Sequence, residues 1–327
     1  MEKKRLLRGV VLMLILVFVG NAFAANPSYQ AAPPTGTYLA SGISDLSGPA
    51  GLAYVEYWVW DGGNDWYYYT YQIHNTNSET PFLPYIKHLT IANPSGEPYV
   101  VTGRSGGYLY DYNNNVPSSD PGVAWSAGSH VSLPTLVDWV APSVSFIFPG
   151  QSSWDDVKFQ FASQLPPSMA GLTVRHGDLS TYASGLIAAP GSSTMDQRSP
   201  GYWKHQYGTK GKRREADSLP NFQEVIGANS EVFADINRFD LSVGLSLLDP
   251  DNCFDMVSKA KRQLFAVWLN IASGKLNYAA EITVDDPNNV EITITISQII
   301  TDCETAILNN AADLEYNKDM AEILNHL

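Results

Sequence analysis

"AYVEYWVWDGGNDWYYYTYQIH", residues 53–74, alternates on both sides of a central turn. Tyr54, Glu56, Trp58 and Trp60 fall on one face of an extended chain. Ala53, Val55, Tyr57 and Val59 fall on the other. The second run is equally rich in aromatic and β-branched residues. Two such runs around Asp61–Asp65, with two adjacent glycines, predict a β-hairpin. Further short strand candidates follow at 85–91, 99–102, 144–148, 157–162 and 172–176, separated by Gly, Pro, Ser and Asn. From Tyr38 to Ile187 no helix-period segment interrupts them, which points to an antiparallel β-sandwich over 25–184.

Behind this half the period changes. "GLIAAPGSSTMDQRSPG", 185–201, is rich in small residues and reads as a linker over 185–200. "CFDMVSKAKRQLFAVWLNIASGKL", 253–276, then repeats apolar residues every three or four positions: Phe254, Val257, Ala260, Leu264, Phe265, Trp268 and Ile271. Asp251 or Asn252 is placed to cap this helix, and Gly274 to end it. "SQIITDCETAILNNAADL", 297–314, repeats the pattern. Between them, 281–296 alternates Ile and Val with Thr and Glu around "DDPNN", a short hairpin signal. The fold class expected is therefore mixed and two-domain. An antiparallel β-sandwich is followed, over 201–327, by a mainly α-helical module with a short β-hairpin, each with its own core.

The first 24 residues read as a removable secretory signal. Lys3, Lys4, Arg5 and Arg8 precede the apolar run 10–20, and Ala22-Phe23-Ala24 forms an A-x-A cleavage site. No second apolar run of membrane length follows, so no membrane span is expected after cleavage. Removing this segment takes four basic residues and Glu2 from a net charge of −13, giving −13 − 4 + 1 = −16. That surface repels nucleic acid and anionic lipid. Cys253 and Cys303 are the two cysteines. Export to an oxidising compartment favours a disulfide between them, and two separate buried thiols are the competing reading. Zinc would need further ligands. Asp285, Asp286 and Asn289 are oxygen donors that calcium accepts, but they lack the spacing of a calcium loop, and a turn is preferred. No cofactor is expected.

"SPGYWKHQYGTKGKRREAD", 199–217, places five basic residues within an acidic chain. "GTKGKRR" has no Ser or Thr after its lysines and so is no phosphate loop. His205 alone is no metal site, and no GxSxG or similar nucleophile signature is present. Gly201, Tyr202 and Trp203 are read instead as a structural anchor that buries at the start of the helical module. Lys204, His205, Lys210, Lys212, Arg213 and Arg214 form a solvated candidate interaction loop, attracted to acidic surfaces or to a second copy. Trp58, Trp60, Trp66 and Tyr68 are candidate ligand-stacking aromatics, weighed against ordinary packing within a sandwich.

"SPGYWKHQ" resembles the GYWKN/H-type motif that opens a C-terminal module in many secreted bacterial proteins, and "LNIASGKLN", 269–277, is similar to that module's later LNIANG segment. The front half, in particular "FQFASQLPP", 159–167, resembles exported exopolysaccharide-associated domains of the PEP-CTERM-like kind. The resemblance transfers no activity. It implies a secreted or periplasmic protein of an envelope or matrix, with a protein or polysaccharide partner. The function expected is non-catalytic adhesion or assembly through surfaces, with self-association a possibility. Two alternatives stand beside it: a carbohydrate-binding protein using the sandwich aromatics, and a secreted glycoside hydrolase. The hydrolase needs two carboxylates across a cleft about 5–10 Å apart.

Overall fold

The computed structural model describes residues 37–46, 53–63, 65–75, 86–92, 99–100, 110–111, 116–117, 126–127, 136–140, 159–176, 182–191, 197–209, 213, 215–285 and 290–326. The signal segment, the strand candidate at 144–148, and Lys210, Lys212, Arg214, Asp286 and Asn289 lie outside the described residues. In chain order the strands are β1 (Thr37–Leu46), β2 (Ala53–Gly63), β3 (Trp66–Asn75), β4 (Ile86–Ala92), β5 (Tyr99–Val100), β6 (Tyr110–Asp111), β7 (Val116–Pro117), β8 (Ser126–Ala127), β9 (Leu136–Val140), β10 (Phe159–Ser163), β11 (Pro167–His176) and β12 (Tyr182–Pro190). Helices α1 (Pro200–Tyr207), α2 (Leu219–Asn229), α3 (Leu241–Leu248) and α4 (Met256–Ala272) follow. Then come strands β13 (Glu281–Asp285) and β14 (Glu291–Thr295), and helices α5 (Ile296–Asn309) and α6 (Leu314–Leu324).

The architecture is mixed, with antiparallel sheets and six helices among the described residues. One five-stranded sheet has the order β1-β2-β3-β10-β5 and the other β12-β11-β4-β9-β8. The expected hairpin at 53–74 is β2–β3, with Val55 opposite Ile73 and Tyr57 opposite Tyr71. Gly63 takes φ +76° and Asp65 φ +62°, the left-handed values that a tight turn requires. Alternation along β2 sends Val55, Tyr57 and Val59 into an apolar cluster. They meet Tyr69, Tyr71 and Ile73 of β3, Leu89 and Ile91 of β4, Leu172 and Val174 of β11, and Ile187 of β12. The Tyr71 hydroxyl donates to the Ala188 carbonyl at 2.8 Å, tying one sheet to the other.

The stretch expected as a linker is strand as far as Pro190. β12 pairs with β11 along its whole length. Its small residues serve close packing. A Cβ on Gly185 would lie 2.7 Å from Leu46 and 3.0 Å from the Asp45 carbonyl oxygen. Neighbouring β12 residues face opposite ways. Ile187 joins the strand cluster, whereas Leu186 packs against a second cluster built from the helices. The helices therefore lie on one face of the β12-β11-β4 sheet. A Cβ on Gly171 of β11 would stand 2.8 Å from Val225 of α2 and 2.9 Å from the Ala272 carbonyl of α4. Two apolar clusters form, and a single sheet lies between them and feeds both.

The helical cluster is centred on α4, whose Leu264, Phe265, Trp268 and Ile271 are buried. The helix starts later than its periodicity suggested. Asp255 is the N-cap, with a reciprocal capping box to Ser258, in place of Asp251 or Asn252. Phe254 therefore sits one residue outside the helix and is 87% exposed. A residue at that position normally packs on the fourth helical residue, which here is the exposed Lys259, so no apolar partner is offered. Gly274, at φ +73°, ends the helix as anticipated. The 281–296 hairpin is β13–β14, with Ile282 opposite Ile294.

Cys253 and Cys303 are both free thiols, which corrects the expected disulfide. Cys253 lies before the start of α4, and its Sγ contacts the Asp249 carbonyl at 3.4 Å. Cys303 packs toward α6, with its Sγ 2.9 Å from the Asn317 carbonyl. The residue beside it, Glu304, accepts from the Trp268 indole at 3.0 Å. Trp268 is twelve residues into α4, about 18 Å of helix from its start. A disulfide needs Cα atoms within about 7 Å. The spacing of α4 therefore keeps the two thiols apart.

Burial pushes the Cys303 thiol up to about 12 and raises that of Cys253. A thiol raised in the folded state contributes stability in full below its ordinary value of 9.0, and that contribution is lost as pH climbs toward about 12. Native thiol titration is expected to modify Cys253 first and Cys303 only on unfolding, with stability falling across that alkaline window. Recovery of a Cys253–Cys303 linked peptide by mass spectrometry under non-reducing conditions contradicts this arrangement.

Candidate interaction surface

Of the anchor residues, Trp203 is buried as the sequence suggests, Tyr202 is half-buried and Gly201 is exposed. Ser199 caps α1, accepting from the Tyr202 amide at 3.4 Å, and Pro200 opens the helix. Helical spacing then turns Trp203, Gln206 and Tyr207 inward, while Gly201 and His205 face outward and Lys204 is half-buried. Trp203 is fully buried, edge-on to Phe222 with centroids 6.1 Å apart. Tyr202 meets it edge-on at 5.3 Å and carries the Arg198 guanidinium over its own ring at 5.2 Å.

The Trp203 indole N–H donates to the Asn270 side chain at 3.0 Å. Asn270 belongs to the LNIASGKLN stretch. Its oxygen also accepts from the Arg198 amide at 2.9 Å, and its nitrogen donates to the Arg198 carbonyl at 3.0 Å and to Asn325 at 3.1 Å. The two motifs singled out in the sequence thus meet through one amide side chain. Lys275 of the second stretch forms a fully buried ion pair with Glu215 at 3.2 Å, and Glu215 also accepts from the Tyr202 hydroxyl at 3.4 Å. Asn277 then accepts from the Met169 amide of β11 at 3.0 Å, fastening the same stretch to the sheet.

Further along β11, Arg175 is buried and donates to Thr90 at 3.0 Å and to Glu224 of α2, with Asn221 also accepting from it. Arg238 closes on the other side of Glu224. A carboxylate between two guanidiniums thus bridges sheet and helix. Nothing local in the sequence announces it, because its members lie 49 and 14 residues apart.

The outward part of the α1 region is the candidate surface. The Lys204 ammonium pairs with Asp249 at 2.9 Å, and that hydrogen bond holds the Asp249 carboxyl below its usual range. Arg213 donates to the Gly208 carbonyl at 2.8 Å, so the described part of the basic loop is held against the end of α1. α3 packs beside α1 because Gly244 lets the Tyr207 ring approach; a Cβ there would stand 2.3 Å from the ring. Next to Gly244, Val243 is 39% exposed, and Phe239, just before α3, is 67% exposed.

The stacking aromatics do not form an open row. Trp60 is buried, and Trp58, Trp66 and Tyr68 are half-buried. Trp60 stands opposite Tyr68 across β2–β3 and opposite Tyr38 of β1, whose ring meets it edge-on at 6.3 Å. This is cross-strand packing. On the same face Tyr54 stacks on His74 at 4.2 Å, and Glu56 lies 3.6 Å from the His74 ring, a grouping that alternation could have placed but that was not singled out. Among the described residues no group of three or more His, Cys, Asp or Glu is arranged to hold a metal, and no helix is long and apolar enough to cross a membrane. Comparisons with family models, with curated proteins and with solved structures return no match.

Proposed function

We propose that this chain is an exported, non-catalytic protein that works by adhesion or assembly through its surface, in a bacterial envelope or matrix. On this reading residues 1–24 are a leader, the strand half is a β-sandwich domain and 201–327 a helical module docked on it. The supporting observation is where the distinctive residues go. Trp203, Asn270 and Lys275, which lie in the sequence's most characteristic motifs, are spent on internal packing and pairing, the last with Glu215. Outward, the same region offers charge and apolar side chains. A partner is then an envelope or matrix component, protein or polysaccharide, held by surface complementarity.

Cell fractionation with N-terminal sequencing tests this reading. The protein is expected outside the inner membrane, beginning at Ala25, and bound to the envelope until washed with high salt. Changing Lys212, Arg213 and Arg214 to Ser is expected to release it at lower salt. Recovery in the cytoplasm with residues 1–24 still attached overturns the proposal.

A further inference from the structure

We infer that the corner formed by α1, α3 and the start of α4 is a self-association face, whose partner is a second copy of this chain. This deepens the proposed role in assembly and rests on it only for its biological setting. Two observations carry it.

The first is apolar exposure with a structural cause. Phe254 is 87% exposed because it sits just outside a helix whose fourth residue is a lysine. Val243 of α3 is 39% exposed. The corner is held together by two side chain to backbone bonds and an ion pair. Asn252 donates to the Ser246 carbonyl at 3.2 Å, Arg262 to the Leu248 carbonyl at 3.0 Å, and Lys204 pairs with Asp249. These exposed side chains therefore stand on a braced platform. A partner surface that covers Phe254 and Val243 removes this apolar area from water.

The second is charge. Of the 20 Lys and Arg, four lie in residues 3–8, leaving 16, and ten of these 16 lie between Arg198 and Arg262. The same span holds nine acidic residues, a balance of +1, whereas the rest of the chain after residue 24 sums to −16 − 1 = −17. Two copies repel each other through most of their surface. This span is where that repulsion is absent. Around Phe254 both signs are present: Asp251 and Asp255 are exposed acids, and Lys259 is an exposed base. A partner of one sign suits a face of the other sign. A face carrying both suits a copy of itself across a two-fold axis, where each cation of one chain meets a carboxylate of the other.

Sedimentation velocity on the full chain after leader removal, from low to high micromolar, tests the inference. The wild type is expected to be a dimer, and Phe254→Ser to weaken dimerisation at least tenfold, with Val243→Ser acting in the same direction. Both side chains are exposed, so circular dichroism should stay unchanged. A bismaleimide is expected to cross-link the dimer through the half-buried Cys253, in Cys303→Ser as in wild type but not in Cys253→Ser. A monomer at every concentration, or a dimer indifferent to Phe254→Ser, overturns the inference. A monomer that gains mass with a cationic amphipathic peptide overturns it too, and assigns the face to a basic segment of another protein. If that monomer is still retained at the envelope, the proposed function stands without this dimer.

Discussion

Replacing Trp203 by Ala is expected to lower stability by about 3–5 kcal/mol, the usual cost of emptying a large aromatic site in a packed interior. The residue is fully buried between Tyr202 and Phe222, and its indole holds Asn270. Trp203→Phe separates the two contributions. It keeps an aromatic edge near Phe222 and removes the N–H. The Asn270 oxygen still accepts from the Arg198 amide, so it is not orphaned. The loss should therefore fall to about 2 kcal/mol or less. Urea midpoints for the three proteins measure both effects. If Trp203→Ala unfolds at the wild-type midpoint, the tryptophan is no anchor.

Changing Glu224 to Ala is expected to be comparably damaging, at about 3–5 kcal/mol, for a different reason. No large apolar volume is lost. Instead the buried Arg175 guanidinium loses its carboxylate, and Arg238 loses the same partner. Thr90 and Asn221 still accept from Arg175, but neither is charged. Glu224→Gln keeps the shape and an acceptor, and should cost less than Glu224→Ala. Equal midpoints for the two variants would show that the charge is irrelevant, contrary to a buried pair.

These two sites differ in how far the sequence discloses them. Trp203 was legible as an anchor because Pro200-Gly201 turns the chain just before the Tyr-Trp pair, whereas the helix α1 whose spacing turns Trp203 inward is seen only in the structure. Its partner Asn270 was visible only as part of a second stretch of resemblance, and the hydrogen bond between them required coordinates. The hairpin 53–74 and the core face of α4 were legible for the same reason: their hydrophobic periods, two and 3.6, are local. β12 was not. Gly185, Ala188 and Ala189 look like linker residues, yet Gly185 is small because β1 crosses closely over it, and Ala188 and Ala189 are buried in the strand cluster. The two cysteines misled because compartment chemistry says nothing about the length of α4. Arg175 and Glu224 carry no local pattern at all. A strand side chain and a helix side chain meet only because the sheet has a second face that takes helices.

That second face is the centre of the account, and a double-mutant cycle across it is the most direct test. Arg175→Met, Glu224→Leu and the pair together would be compared by urea unfolding. A coupling energy of at least about 2 kcal/mol is expected, with the double variant more stable than Glu224→Leu alone, since only the single variant leaves the buried Arg175 charge without its carboxylate. Additivity within about 0.5 kcal/mol would mean that β11 and α2 do not meet there, and that the helices do not dock on this sheet.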